Sequence, residues 1–179
     1  VIYLVRHGEA AASWGDHPDP GLSELGQGQA RSVAKILRES GARSAICSPM
    51  QRCRETAAPF ERDMRLMARI EPLVSEIVTP KGVEDRVSWL RGVMSGTWDE
   101  ADAAIKDWRR DMVEAVSALP DETVVFSHFV AINAIVSALE DVPQVTAFRP
   151  GHCSVTELAR TGNRLIVKTR GSEAATKVL

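Results

Sequence analysis

Short, wholly apolar, β-branched runs alternate with longer segments of helical spacing along the 179-residue chain, and this pattern constrains its fold most. Val1-Ile-Tyr-Leu-Val5 stops at Arg6-His7-Gly8, Ser44-Ala-Ile-Cys47 stops at Ser48-Pro49, and Thr123-Val-Val-Phe126 closes on Ser127-His128. A strand without a polar face has to be covered on both sides, which is the habit of parallel sheets. Ser23 followed by Glu24, with Ala30, Val33, Ala34 and Leu37 at helical spacing, predicts an amphipathic helix ending near Gly41. Ser48-Pro49 reads as the cap and first turn of the next helix. Residues 84–95 and 100–118 read as two further helices, the second stopped by Pro120, and Val130 to Leu139 as a largely apolar one. Ser154–Leu158 and Leu165–Thr169 alternate as a terminal pair of strands around a turn at Thr161-Gly-Asn163. Residues 10–22, rich in Ala, Gly, Pro and Asp, read as loop. The expectation is one domain over residues 1–179, an α/β three-layer α/β/α sandwich with a mostly parallel central sheet and a frayed end.

Charge and cysteine content narrow the function classes. Twenty-two Lys+Arg against 24 Asp+Glu leave a formal charge of −2, so nothing electrostatic argues for nucleic acid or an anionic membrane surface. Any anion site has to be a local cluster of cations. Cys47, Cys53 and Cys153 lack motif spacing, which fits buried thiols in a reducing compartment, and a cytoplasmic location is expected. The apolar run at residues 1–5 is too short for a signal peptide or a membrane span, though a leader removed before Val1 stays open. Oligomeric state is not legible.

Three segments place His or Arg where a strand ends or the next helix begins: Arg6-His7-Gly8, Ser48 to Arg54, and Ser127-His128. In open α/β sheets these ends line one crevice, so residues distant in sequence converge there. Two arginines and two histidines are costly to assemble without an anion, and a guanidinium fork matches phosphate oxygens.

Five ordered segments resemble the histidine phosphatase superfamily, also called phosphoglycerate mutase-like. They are Leu4-Val-Arg-His-Gly-Glu9, Asp19-Pro-Gly-Leu-Ser-Glu-Leu-Gly26 with Gln29-Ala30, Ser48-Pro-Met-Gln-Arg-Cys-Arg-Glu-Thr-Ala57, Leu73-Val-Ser-Glu76, and Val124-Val-Phe-Ser-His128. The resemblance implies a phosphomonoester hydrolase that passes through a phosphohistidine at His7 and needs no metal or cofactor. Arg6 and Arg52 would hold the phosphoryl oxygens and His128 would complete the anion pocket. The other ring nitrogen of His7 should donate to a carbonyl near Gly8, leaving the attacking nitrogen bare. Glu76 is the candidate acid and base, with Glu9 its rival. The implied substrate is a phosphorylated small molecule or a phosphoprotein. The alternatives are a phosphoglycerate mutase-type transferase and a weakly catalytic relative that binds a phosphorylated ligand.

The chain departs from the family pattern in two places. Ala10-Ala-Ala12-Ser13-Trp14 stands where many members carry Thr or Ser and then a phosphate-contacting Asn, with Ser13 a partial substitute. Phe129 stands where many have Gly after the second histidine, where it would narrow the pocket or stack on a substrate ring. His152, in Gly-His-Cys-Ser154, is an outer contact at most. Elsewhere bland readings prevail. Arg54 reads as a solvated helix residue, Arg109-Arg110 with Lys106 as an exposed helix face, and His17 between Asp16 and Asp19 as loop polarity rather than a metal ligand. Trp89, Trp98 and Trp108 read as packing residues, and Gly26 to Gly28 as the start of a helix rather than a nucleotide loop.

Overall fold

Along the first strand, Ile2 and Leu4 alternate with Tyr3 and Val5, and each pair is buried in a different apolar cluster. That alternation, repeated in the neighbouring strands, is what a sheet covered on both faces requires. The computed structural model describes residues 1–13 and 16–174, so the expected frayed end falls largely outside the described residues.

Among the described residues the elements follow in this order: β1 (Ile2–Arg6), α1 (Glu24–Glu39), β2 (Ser44–Cys47), α2 (Gln51–Met64), β3 (Arg69–Ile70), a 3-10 turn (Pro72–Val74), α3 (Arg86–Ser95), α4 (Ala103–Ser117), β4 (Thr123–Ser127), α5 (Phe129–Leu139), β5 (Val155–Thr161) and β6 (Arg164–Thr169). The sheet runs β3-β2-β4-β1-β5-β6. The first four strands in that order pair in parallel, and β5 and β6 join antiparallel at one end. Val33, Leu37, Cys53 and Phe60 of α1 and α2 cover the Tyr3–Val5 face. Leu90, Met112 and Ile132 of α3, α4 and α5 cover the Ile2–Leu4 face, giving the three layers.

The start of α1 agrees with its sequence signal. The Ser23 hydroxyl accepts from the Gly26 amide at 3.0 Å, satisfying one of the orphan donors of a first turn. The start of α2 does not. Its N-cap is Met50, and the Gln51 amide is taken by the Asp19 carboxylate at 2.8 Å. A carboxylate from the 10–22 loop, not Ser48, therefore caps this helix, which ties the loop to α2.

Arg109 is a second correction. Lys106 and Arg110 are exposed as expected. Arg109 instead turns inward, donating to the Ala134 carbonyl at 3.3 Å and the Ser137 hydroxyl at 3.1 Å. Its guanidinium lies 4.5 Å from the centre of the Trp98 ring. It sits four residues after the buried Ile105, on the apolar side of α4, so helical spacing opposes its solvent-facing assignment. The three tryptophans pack in or against the same apolar cluster.

Candidate active site

The register of the sheet brings the expected residues together. Arg6 lies beside Ser127 across β1 and β4, and Phe126 beside Cys47 across β4 and β2. The next residues, His7, His128 and Ser48, therefore leave three adjacent strands at one level. The His7 and His128 ring centres are 5.4 Å apart, nearly edge to face. Arg52, on the first turn of α2, lies between them: its Nε donates to His7 Nε2 at 3.3 Å and its Nη2 reaches His128 Nδ1 at 3.1 Å.

These contacts fix the tautomers, because a guanidinium can only donate. His7 Nδ1 carries the proton and donates to the Gly8 carbonyl at 2.7 Å, leaving Nε2 as a lone pair. His128 accepts at Nδ1, so its Nε2 carries the proton and donates to the Ser48 hydroxyl at 2.8 Å. Burial, and then neighbouring cationic groups, hold both imidazoles well below the ordinary histidine range. Both are neutral at physiological pH.

Arg6 is buried at the end of β1, and its guanidinium is anchored rather than free. Nη1 donates to the Pro150 carbonyl at 2.8 Å and Nη2 to His152 Nε2 at 3.0 Å, while Nε has no hydrogen-bond partner. Burial lowers its pKa to about 10. His152 is thus closer in than an outer contact, with its ring centre 6.0 Å from that of His7. Phe129, first residue of α5, lies under this group: the guanidinium carbons of Arg6 and Arg149 are 5.3 and 5.9 Å from its ring centre. The aromatic in the family's glycine position stacks on the chain's own arginines.

Glu76 and Glu9 both face the cavity above His7. The Glu76 carboxylate is held at the start of α5, accepting from the Val130 and Ala131 amides, each at 3.0 Å, and from its neighbour Ile77 at 3.1 Å. Burial nonetheless raises its pKa, outweighing those three donors. Glu9 is half-buried and accepts from the Ser23 hydroxyl at 2.8 Å. Ser13 is at the exposed rim of the cavity, and Trp14 lies outside the described residues. Arg54 is exposed, as read. His17 is exposed as well, its Nδ1 accepting from the Asp19 amide at 3.1 Å. Among the described residues no group of three or more His, Cys, Asp or Glu is placed to hold a metal ion.

Several motif residues had no individual role in the sequence, and the structure gives them one. Thr56 accepts from the Gly8 amide at 3.0 Å and donates to the Arg52 carbonyl at 2.6 Å, tying the two motifs together. Gln29 accepts from the Glu9 amide at 2.8 Å. Gly8 and Gly26 let the turn after β1 lie directly on the first turn of α1. A Cβ on Gly26 would come 2.1 Å from the Glu9 carbonyl oxygen. Their recurrence within the recognised segments was the signal available for them.

Fold and site together define an α/β protein with an imidazole–guanidinium cluster at the carboxyl edge of a mostly parallel sheet. The sequence profile of the Histidine phosphatase superfamily (branch 1) matches residues 2–172, and the chain belongs to that family. It is 27% identical over 183 aligned residues to a probable phosphoglycerate mutase GpmB of Serratia proteamaculans, covering 88% of this chain and 83% of that one. Its fold matches that of a mycobacterial glucosyl-3-phosphoglycerate phosphatase complexed with VO3 (TM-score 0.76, 20% identity, 96% and 98% of the two chains). It also matches that of an Entamoeba histolytica phosphoserine phosphatase bound to 3-phosphoglyceric acid (TM-score 0.78, 19% identity, 96% of each chain). The phosphoglycerate mutase-like fold is therefore the fold of this chain.

Proposed function

We propose that the chain is a phosphomonoester hydrolase acting on a phosphorylated small molecule through a phosphohistidine at His7. The observation that carries this reading is the bare Nε2 of His7, held by the Gly8 carbonyl behind it and facing the Arg52 guanidinium. A phosphoryl group entering beside Arg52 draws its donors onto the phosphoryl oxygens and releases that lone pair. The Nε2–P bond then forms as the ester P–O bond breaks, and Glu76 gives its proton to the leaving oxygen. Water next attacks the phosphohistidine, loses its proton to the Glu76 carboxylate, and releases inorganic phosphate. Arg6, Arg52 and His128 stabilise the charge on the transferring group, a role that needs no metal ion.

His7→Ala is expected to abolish release of phosphate from an aryl phosphate while leaving the far-ultraviolet circular dichroism unchanged. Acid-quenched wild-type enzyme should carry label from a 32P-ester, and the variant none. Full activity in a folded His7→Ala chain ends this reading. The probable mutases among the relatives favour a second one, transfer between the oxygens of a phosphoglycerate. Isomerisation of a phosphoglycerate faster than phosphate release would establish it instead.

A further inference from the structure

We infer that the cavity above the imidazole–guanidinium cluster selects phosphate monoesters of apolar alcohols, with Ile77, Val78, Val83 and Met94 as the selecting wall. This rests on reading the cavity as the phosphoester site. The cavity has a volume of about 1020 Å³. Sites for drug-sized ligands run to about 1,000 Å³, so a phosphoryl group fills only a small part and the alcohol must fill the rest.

The lining divides sharply by chemistry. Arg6, His7 and Arg52 are buried at the deep end, with Glu76 nearby. Most of the remainder comes from the 10–20 loop, with Ala11 and Pro18 beside Ser13 and His17, and from the 77–94 stretch, where Ile77, Val78, Val83, Leu90 and Met94 outnumber Thr79 and Arg86. Where the family pattern has a polar pair after the first motif, this chain presents alanines. Among the described lining residues outside the deep end, Arg86 is the one formal cation. It is exposed and its Nε donates to the Thr79 hydroxyl at 3.1 Å. An exposed charge of this kind contributes little to holding a second anionic group. Val78 sits 75% exposed at the rim, an apolar side chain that gains most when an apolar ligand covers it. A hydroxyl or carboxylate laid against the side chains of Ile77, Val78, Val83 and Met94 would meet no partner there.

Binding of methyl-, butyl- and hexylphosphonate to the wild-type chain, measured by calorimetry at one pH, tests the wall. A phosphonate C–P bond is not hydrolysed, so the series reads selection whether or not the chain turns esters over. Affinity is expected to rise about fourfold for each methylene that enters the cavity. Val78→Ser, at an exposed position away from the reacting groups, should flatten this rise and leave methylphosphonate binding unchanged. Equal affinity along the series, or no binding of any member, overturns the inference. A rising series in a chain that forms no phosphohistidine supports the wall and overturns the hydrolase reading alone.

Discussion

His7, His128 and His152 are each harder to protonate in the folded chain than in the unfolded one, chiefly because folding buries them. Their ordinary value is 6.5, and His152 falls to about 4. Between those values the unfolded chain binds the extra protons, so stability is fully present above pH 6.5 and is lost as the pH drops below it. The raised carboxyl of Glu76 works in the opposite direction, one group against three. The urea midpoint is therefore expected to fall between pH 7.5 and pH 5, and an unchanged or rising midpoint would refute the neutral buried cluster. The acid–base assignment is also a single-residue question. Glu76 both caps α5 and faces the cavity, so Glu76→Gln lowers activity for either of two reasons. Loss of a general acid costs about 10²–10⁴ in rate, but only where the leaving oxygen needs a proton. Glu76→Gln should therefore lose that factor on butyl phosphate and far less on nitrophenyl phosphate. Equal losses on both would remove the general-acid step from Glu76, and the selective pattern in Glu9→Gln would move that step there. Arg6, His7 and His128 were legible because they close apolar runs, and Arg52 and Glu76 because their segments resemble the family's. Ser48 and Thr56 were not, since their partners lie 80 and 48 residues away.

The turn after β1 is held by helices on one side of the sheet, through Thr56 of α2 and the close approach of Gly8 and Gly26 to each other's segments. Gly26→Ala has no cheap solution, because the opposing atom is a backbone carbonyl rather than a flexible side chain. It is expected to destabilise the chain by about 3 kcal/mol, the upper end of the usual cost of overpacking. Because the Glu9 backbone must move, activity should fall even where the variant stays folded. A Gly26→Ala chain with wild-type melting temperature and turnover would remove this packing from the account of the site. Sequence pattern revealed the elements with a full buried face, β1, β2, β4 and α1, and also placed α3, α4, α5, β5 and β6 to within a few residues. β3 escaped because it has only two residues, both exposed at the sheet edge, and two residues show no period. The start of α2 escaped because its cap comes from Asp19, 32 residues earlier. Arg109 misled because an arginine on an apolar stripe keeps its charge inside only when carbonyls and an aromatic face receive it, which a one-dimensional pattern does not display.

At the scale of the molecule, the two apolar clusters stabilise a sheet whose carboxyl edge carries buried cations that Glu76 offsets only from a distance. Arg6 and Arg52 are 4% and 6% exposed, and among the described residues neither forms an ion pair with a carboxylate. Buried charges without a counter-ion oppose folding, so the folded chain should be stabilised by any dianion that fits. Such a ligand binds only the folded state. At about 100 times its dissociation constant it adds about 2.7 kcal/mol, which for a chain of this size is a rise in melting temperature of about 5–10 °C. Vanadate and inorganic phosphate are both expected to produce the shift. His128 should take up a proton as the anion arrives, because the ligand reverses the charge that its Nδ1 faces. The stabilisation should accordingly weaken as the pH is raised from 6 to 9. Arg52→Ala removes the donor that spans both histidines and should lose most of the shift while gaining some unliganded stability from the deleted charge. An equal shift in Arg52→Ala and the wild type would place the anion elsewhere on the molecule, and the convergence of three strand ends on one phosphoryl group would lose its meaning.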